Sequence, residues 1–339
     1  MPAVAESANA RLPRGAWPRT WLLAVVLSTL LLGLWELHWR RRGWDATVEA
    51  NEESWILARG RLRPGSTVVA GTSRIQGVLD PDAWVAVAGG DPPIELALAG
   101  ASPLPILEDI AADTTFRGLL IAELLPYYAF DVSLRSESTT RQYLAAYRAA
   151  QHSPARRWEA FLRNNIPNHF VFRRSKILPH QILNSARVGD LDAPPQSTQR
   201  PDRFHPIRFP NSGFSPHQAA ALDTPMLKRL SANTAPADDA QLRALLARIA
   251  TSLARIETRG GRVYLVHLEA CGKRRVVENV IYPEARYWNR LTEIPGIRII
   301  DSDDYAEIAN LPCHDGSHID ARHAAAVTRW LARVIMARP

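Results

Sequence analysis

Three polar residues near opposite ends of the chain have types and spacing suited to acyl-transfer chemistry. Ser73 follows a short apolar run, in the sequence Gly71-Thr72-Ser73-Arg74, and Asp315 lies three positions before His318. A serine hydroxyl becomes an effective nucleophile when a histidine takes its proton and a carboxylate orients that histidine. Ser73, Asp315 and His318 are therefore the candidate catalytic triad.

Each half of this triad has a simpler interpretation when it is considered alone. A serine after a strand is common and can cap a helix or bind phosphate, and an Asp-x-x-His sequence arises often by chance. The positions are more informative, because Ser73 follows the first predicted strand and Asp315 precedes the last predicted helix. Ligands of parallel α/β sheets bind beyond the carboxyl ends of the strands, where both motifs are expected to meet.

Five short apolar segments, many of them β-branched, are predicted to be the strands that position these residues. They span residues 67–71, 94–100, 118–124, 262–268 and 297–300. Apolar residues at helical spacing predict helices between and after them, at residues 105–112, 238–256 and 324–335. Alternating strands and helices favour an α/β fold with a central parallel sheet and helices on both faces.

Residues 131–236 interrupt this alternation. The segment contains one predicted helix, near residues 140–151, and then becomes rich in Pro, Arg, Asn and Ser. An insert of this length is typical of a lid or a binding elaboration at the strand ends. A poorly ordered surface excursion is the alternative, and the composition of residues 190–210 favours it.

An apolar run near the N-terminus predicts a transmembrane anchor at residues 20–37. Tryptophans at positions 17, 21, 35 and 39 bracket the run, as expected at the two headgroup layers of a bilayer. The absence of a small-residue cleavage site favours an uncleaved anchor over a signal peptide. Arginines flank the run on both sides in similar number, so charge does not set its orientation.

The rest of the chain divides around this anchor. Residues 1–19 are an N-terminal tail, residues 38–63 are predicted to be a charge-rich helical stalk, and residues 64–339 are predicted to be the α/β domain. The net charge of +7 occurs without a recognisable nucleic-acid-binding motif, so we expect a basic surface near anionic lipid and no nucleic-acid partner.

The two cysteines leave two interpretations open. Cys271 and Cys313 do not form a Cys-x-x-Cys pair, so they do not indicate a zinc site. They could form a disulfide in an oxidising compartment or remain two buried thiols. With no metal-ligand motif in the sequence, neither a metal nor another cofactor is expected.

These motifs resemble the SGNH-hydrolase superfamily. Gly71-Thr72-Ser73 is similar to its first block, with Thr where many members have Asp, Gly100 is similar to its glycine block, and Asp315 and His318 to its last. The resemblance implies a flavodoxin-like three-layer fold. It also implies an oxyanion hole that uses backbone N–H groups of Gly100 and Ala101.

The resemblance extends to a branch of bacterial, membrane-anchored SGNH-like proteins related to polysaccharide O-acetylation. It includes Glu36, Trp39, Arg40 and Gly43 near the anchor and the run at residues 100–109. It implies a serine esterase or O-acetyltransferase acting on an acyl ester of a cell-envelope glycan. The expected setting is the bacterial inner membrane, with one membrane span and the domain in the periplasm.

One departure from the superfamily bears on activity. The third block supplies an Asn donor, but here the sequence is Glu123-Leu124-Leu125-Pro126-Tyr127-Tyr128. Loss of one oxyanion donor typically costs about 100- to 1,000-fold in rate. Either the backbone at Gly100 and Ala101 compensates, or the protein is a weak or inactive accessory or glycan-binding partner of a membrane-bound O-acyltransferase.

Three further residues have both a structural and a functional interpretation. Glu123 is expected to be a structural residue at a strand end rather than a catalytic acid. Arg74 either grips an anionic substrate or forms a salt bridge. Trp288, near Arg286, either lines a sugar-binding surface or packs in a helix.

Overall fold

The computed structural model describes residues 17–44, 51–132, 135–165, 170–173, 199–200, 202–209, 228 and 234–337. These residues form two units: one contains residues 17–44 and 170–173, and the other contains the remaining described residues. Most of the expected N-terminal tail and residues 174–198 and 210–227 of the expected insert lie outside the described residues.

The first unit is built on helix α1, Trp17–Arg41. Within the described part of the chain, it is the one helix long and apolar enough to cross a membrane, and it extends beyond the expected 20–37 at both ends. Near its C-terminal end, the Glu36 carboxylate accepts hydrogen bonds from the backbone N–H groups of Val171 and Phe172, at 3.0 and 2.9 Å. The carboxylate of Glu36, in a largely apolar helix, is therefore satisfied by hydrogen bonds within the protein.

The second unit contains a five-stranded sheet in which every pairing is parallel. The strands are β1 Thr67–Ala70, β2 Ile94–Glu95, β3 Leu119–Glu123, β4 Arg262–His267 and β5 Ile299–Asp301. Their order is β2-β1-β3-β4-β5, one of the two common orders of doubly wound α/β proteins. The predicted parallel sheet is confirmed.

Helices precede, connect and follow these strands. They are α2 Glu52–Gly60, α3 Ser73–Val78, α4 Pro81–Ala88, α5 Leu104–Ala112, α6 Pro126–Ala129, α7 Arg135–Gln151, α8 Pro154–Asn165, α9 Asp239–Glu257, α10 Gly272–Ile281, α11 Ala306–Ala309 and α12 Ala321–Ala337. Short 3₁₀ turns occur at Val171–Arg173, Trp288–Glu293 and Ser302–Asp304. The helix predicted from residue 238 begins as α9 after a capping box formed by Asp238 and Gln241.

Alternate strand residues face opposite sides of the sheet and create two apolar cores. Val68 and Ala70 pack with residues of α2, α5 and α9 on one side. Val69, between them, packs with residues of α3, α4 and α12 on the other. This alternation follows from the two-residue period of a strand, and it gives a sheet covered by helices on both faces.

Helix α2 belongs to one of these cores, although its residues were expected to be part of a stalk. Trp55 is fully buried, and its indole N–H donates to the carbonyl oxygen of Leu96 at 2.8 Å. Burial of an aromatic side chain outweighs the charge-rich composition of this segment, so α2 packs beside β2 instead of standing apart from the sheet.

The ends of the expected insert meet at the sheet. Asp131 and Pro236 form an isolated antiparallel bridge, and the backbone N–H of Val132 donates to the carbonyl of Ala235 at 2.9 Å. The two ends of the insert are therefore adjacent, and α7 and α8 within it belong to the same unit as the sheet. The helix predicted near residues 140–151 is present as α7.

Candidate functional site

Ser73 lies at the first position of α3, immediately beyond the carboxyl end of β1. Thr72 caps this helix, since its hydroxyl oxygen accepts from the backbone N–H of Arg74. The backbone N–H and the hydroxyl of Thr72 both donate to the Glu123 carboxylate at the end of β3, at 2.7 and 2.8 Å. The residue before Ser73 is thus fixed by a buried carboxylate from the neighbouring strand.

Gly71 allows this close approach of β1 to β3. A Cβ atom at position 71 would lie 2.5 Å from a methyl carbon of Ile75 and 2.7 Å from Cβ of Glu123. No side chain can be accommodated at those distances without movement of the backbone. The glycine is therefore required by packing next to Ser73.

The structure brings Ser73, His318 and Asp315 together, although 245 positions separate Ser73 from His318. His318 Nε2 lies 2.8 Å from Ser73 Oγ, and His318 Nδ1 lies 2.6 Å from Asp315 Oδ2. With Asp315 ionised, Nδ1 carries a proton and Nε2 of the neutral imidazole is free to accept the hydroxyl proton of Ser73. This is the geometry that activates a serine nucleophile.

Backbone and side-chain contacts hold Asp315 in its ionised form. Its Oδ1 accepts from the backbone N–H groups of Ser317 and His318, at 2.9 and 2.8 Å. Burial alone would raise the pKa of Asp315, but these hydrogen bonds and its contact with His318 outweigh it and lower the pKa. The carboxylate can therefore orient the imidazole and stabilise its charged form.

Arg74 forms a buried salt bridge, so it is not placed to grip a substrate. Its guanidinium contacts the Glu278 carboxylate at 2.7 Å and donates to the carbonyl of Leu268 at 2.8 Å. It also donates to Ser317 Oγ at 3.3 Å, and only 3% of Arg74 is exposed. Arg74 thereby links the start of α3 to the turn that carries Asp315 and His318.

Gly100 and Ala101, the two expected donors of the oxyanion hole, differ in whether the backbone N–H already has an acceptor within the protein. The backbone N–H of Leu98 donates to the carbonyl of Gly71 at 3.0 Å, which brings the segment after β2 to the end of β1. Ala101 donates its backbone N–H to Leu98 at 3.2 Å, so it is not available to a substrate, contrary to expectation. The exposed Gly100 N–H has no acceptor among the described residues.

Residues 202–209 of the expected insert are ordered along the same edge of the sheet. Arg203 has φ 72° and is buried, and its guanidinium donates to the carbonyls of Glu95 and Ala97, at 3.0 and 3.2 Å. Further along, Ile207 accepts from the backbone N–H of Ala321 at 2.7 Å. This segment therefore runs from the end of β2 to the start of α12, contrary to the poorly ordered excursion that composition favoured there.

His205, in this segment, is a titratable neighbour of the triad that sequence reasoning missed. Its backbone N–H donates to the carbonyl of Gln76 in α3 at 3.0 Å. Burial, followed by the nearby charge of His318, lowers the pKa of His205. Its position in a proline-rich insert, more than 100 residues from His318, gave no sequence signal of this proximity.

A disulfide joins Cys271 and Cys313, which settles the two alternatives left open by the sequence. The Cα atoms are 6.2 Å apart, and the backbone N–H of Cys271 also donates to the carbonyl of Gly316 at 3.0 Å. The turn that carries Asp315 and His318 is thereby attached to the start of α10.

His267, Glu269 and Asp301 form a separate cluster at the carboxyl ends of β4 and β5. Their candidate ligand atoms lie within 4.8 Å of one another, so they could hold a divalent cation, although the sequence contains no metal-ligand motif. As the cluster stands, His267 Nδ1 lies 3.0 Å from Asp301 and 3.2 Å from Glu269. Burial disfavours the imidazolium, but these carboxylates outweigh it and raise the pKa of His267. The two carboxyl groups therefore favour the charged form of the His267 imidazole.

Trp288 packs against this cluster instead of lining a sugar-binding surface. Its ring lies 4.5 Å from that of His267, and the residue is 5% exposed. The exposed Arg286 forms an ion pair with Asp239 on α9. The structural interpretation of both residues is therefore the one that their contacts support.

No protein-family model and no curated protein matches this chain. The described residues define its class by structure: an α/β protein with a parallel sheet, an N-terminal apolar helix and a hydrogen-bonded Ser-His-Asp relay at the carboxyl edge of the sheet.

Proposed function

We propose that the protein is an SGNH-type serine esterase or O-acyltransferase. The observation that carries this proposal is the relay of Ser73, His318 and Asp315, with distances of 2.8 and 2.6 Å. Ser73 Oγ attacks an acyl carbonyl carbon while His318 Nε2 takes the hydroxyl proton. The tetrahedral intermediate then collapses, and His318 returns the proton to the departing alkoxide.

The acyl group, now an ester of Ser73, leaves in a second step that reverses the first. His318 takes a proton from water or from a sugar hydroxyl, and the resulting oxygen nucleophile attacks the acyl carbon. The bond between Ser73 Oγ and the acyl carbon then breaks, and His318 returns the proton to Ser73 Oγ. Water gives an esterase and a sugar hydroxyl gives an acyltransferase. The strand order and the position of Ser73 directly after β1 support the SGNH assignment, together with the sequence blocks that resemble that superfamily.

We further propose that the substrate is an acyl ester of a cell-envelope glycan and that the domain is periplasmic. Helix α1 supports attachment to the inner membrane. The Cys271–Cys313 disulfide supports an oxidising compartment, because disulfides rarely persist in the cytosol. A reporter that is active only in the cytoplasm, fused to the C-terminus, should be inactive. If it were active, the domain would be cytoplasmic and the proposed topology would be wrong.

A non-catalytic accessory role, beside a membrane-bound O-acyltransferase, is the second candidate. The observation that favours it is the internal hydrogen bond of the Ala101 N–H, which removes one expected oxyanion donor. An accessory protein would bind the glycan without acylation of Ser73.

Covalent labelling tests the proposal on the full-length protein in detergent. We expect a fluorophosphonate probe to label the wild type, and we expect Ser73→Ala and His318→Ala to abolish labelling and turnover of a small acetyl ester. Ser66→Ala, immediately before β1, and His152→Ala, at the exposed position that follows α7, are matched controls.

The outcomes separate the candidates. If the probe labelled Ser73→Ala as strongly as the wild type, Ser73 would not be the nucleophile. A wild type that neither reacts with the probe nor turns over the ester, while still binding glycan, would favour the accessory role.

A further inference from the structure

The segments that follow β2 and β3 meet across the end of β1. These two strands flank β1 in the sheet, and the chain passes from β1 through Gly71 and Thr72 to Ser73. Gly100 follows β2 and Tyr128, in α6, follows β3. A Cβ atom at Gly100 would have the Tyr128 hydroxyl oxygen as its nearest neighbour, at 3.9 Å. The hydroxyl therefore lies next to Gly100, in a segment that reaches the end of β1 through the hydrogen bond from the Leu98 backbone N–H to the Gly71 carbonyl.

The Tyr128 hydroxyl is held by a network that also contacts the residue after Ser73. Arg274 hydrogen-bonds to the phenol oxygen and donates through Nε to Glu278 at 2.6 Å. Glu278 in turn contacts Arg74 at 2.7 Å. Two arginines and a carboxylate thus fix the phenol relative to the start of α3.

The phenol keeps its proton and has it available for a ligand. Burial is the main cause that raises the pKa of Tyr128 above its ordinary value, so the hydroxyl stays neutral at pH 7. The phenol oxygen accepts a hydrogen bond from the Arg274 guanidinium, which leaves the phenol proton unused. Among the described residues, no group accepts a hydrogen bond from the hydroxyl itself.

We propose that Tyr128 is a catalytic residue whose phenol O–H donates a hydrogen bond to the oxyanion formed when Ser73 attacks the acyl carbonyl. The backbone N–H of Gly100 donates to the same oxygen from the other side. Tyrosine hydroxyls can supply this kind of stabilisation because the negative charge on the carbonyl oxygen increases in the transition state. This inference rests on the proposed esterase or acyltransferase activity.

A comparison of Tyr128→Phe with Tyr127→Phe tests the inference in the full-length protein. The neighbouring tyrosine is half-buried as well and serves as the matched control. We expect Tyr128→Phe to lower kcat for an acetyl ester by about 100-fold with little change in KM, since the donor acts mainly in the transition state. Tyr127→Phe should retain wild-type kcat, and both variants should unfold at the wild-type temperature.

Incorporation of 3,5-difluorotyrosine at position 128 provides a variant that keeps the ring and the hydroxyl. Its phenol ionises at lower pH, and a phenolate cannot donate. We therefore expect the alkaline limb of the kcat–pH profile to move to lower pH, a change that a purely structural tyrosine would not produce.

The failure of this inference and of the proposed function are distinguishable. An active wild type with equal kcat for Tyr128→Phe and Tyr127→Phe overturns the role of Tyr128 alone. An unchanged kcat–pH profile after incorporation of 3,5-difluorotyrosine also overturns the role of Tyr128 alone. This second test applies even if Tyr128→Phe does not fold. A wild type that shows neither turnover nor labelling of Ser73 overturns both.

Discussion

Replacement of Glu95 by glutamine should stabilise the protein increasingly as the pH rises from 5 to 8. Glu95 ends β2 and is 1% exposed. One carboxylate oxygen accepts from the backbone N–H of Ala97 at 2.7 Å, and the other has no partner among the described residues. Burial is the main cause that raises the pKa of Glu95 from 4.5 to about 8.

The direction follows from proton binding. Between pH 4.5 and 8 the folded protein keeps a proton on Glu95 that the unfolded chain has released, so folding becomes less favourable as the pH rises. Each pH unit in this interval costs about 1.4 kcal/mol, which gives about 3–4 kcal/mol between pH 5 and 8. Glutamine has the shape of the protonated acid and does not titrate, so Glu95→Gln removes this loss.

Urea unfolding of the full-length protein in detergent, followed by tryptophan fluorescence at pH 5, 6, 7 and 8, measures the effect. The free energy of unfolding of Glu95→Gln should increase relative to that of the wild type with each rise of one pH unit. Glu307→Gln, at an exposed position of α11, is the control and should follow the wild type. A difference between Glu95→Gln and the wild type that stays constant with pH would refute the reasoning, because Glu95 would then be ionised throughout.

Three further changes have expected outcomes. Asp315→Asn should lower kcat by about 10³- to 10⁴-fold in the esterase assay, because the amide favours the His318 tautomer that cannot accept a proton at Nε2; wild-type kcat would contradict this role. Cys271→Ser combined with Cys313→Ser should lower the unfolding free energy by about 4 kcal/mol in urea titrations, from the loop that the disulfide closes; an unchanged midpoint would exclude a stabilising bond. Trp55→Ala should cost about 3–5 kcal/mol by the same measurement, whereas an exposed stalk tryptophan would cost almost nothing.

The parallel sheet and the meeting of Ser73 with His318 could be predicted from short-range sequence signals. The strands are recognisable because each is a brief apolar run between turn signals, and their parallel pairing follows from the helices between them. Ser73 and His318 could be paired because each adjoins an element whose end is expected at the same edge of the sheet. Each signal is weak alone, and the position of both motifs in the chain makes them more informative together.

The partners of charged residues could not be inferred in the same way. Arg74 contacts Glu278, 204 positions later, and His267 contacts Asp301, 34 positions later. No spacing rule links such pairs, because their proximity is set by which helix or strand packs beside which. The burial of Trp55 was missed for a related reason: the charged residues Glu52, Glu53 and Arg59 of α2 indicated an exposed helix, although the helix packs against the sheet.

The separation of Ser73 from His318 has a consequence for the biogenesis of the protein. Ribosomes add about 5–20 residues per second, so the 245 positions between the two residues require roughly 10–50 s of synthesis. Throughout that time the growing chain contains the serine without the histidine that would activate it. Under the proposed mechanism, nascent chains and fragments that end before Asp315 therefore lack the activating histidine, and the serine becomes reactive only when the segment that carries Asp315 and His318 joins the sheet.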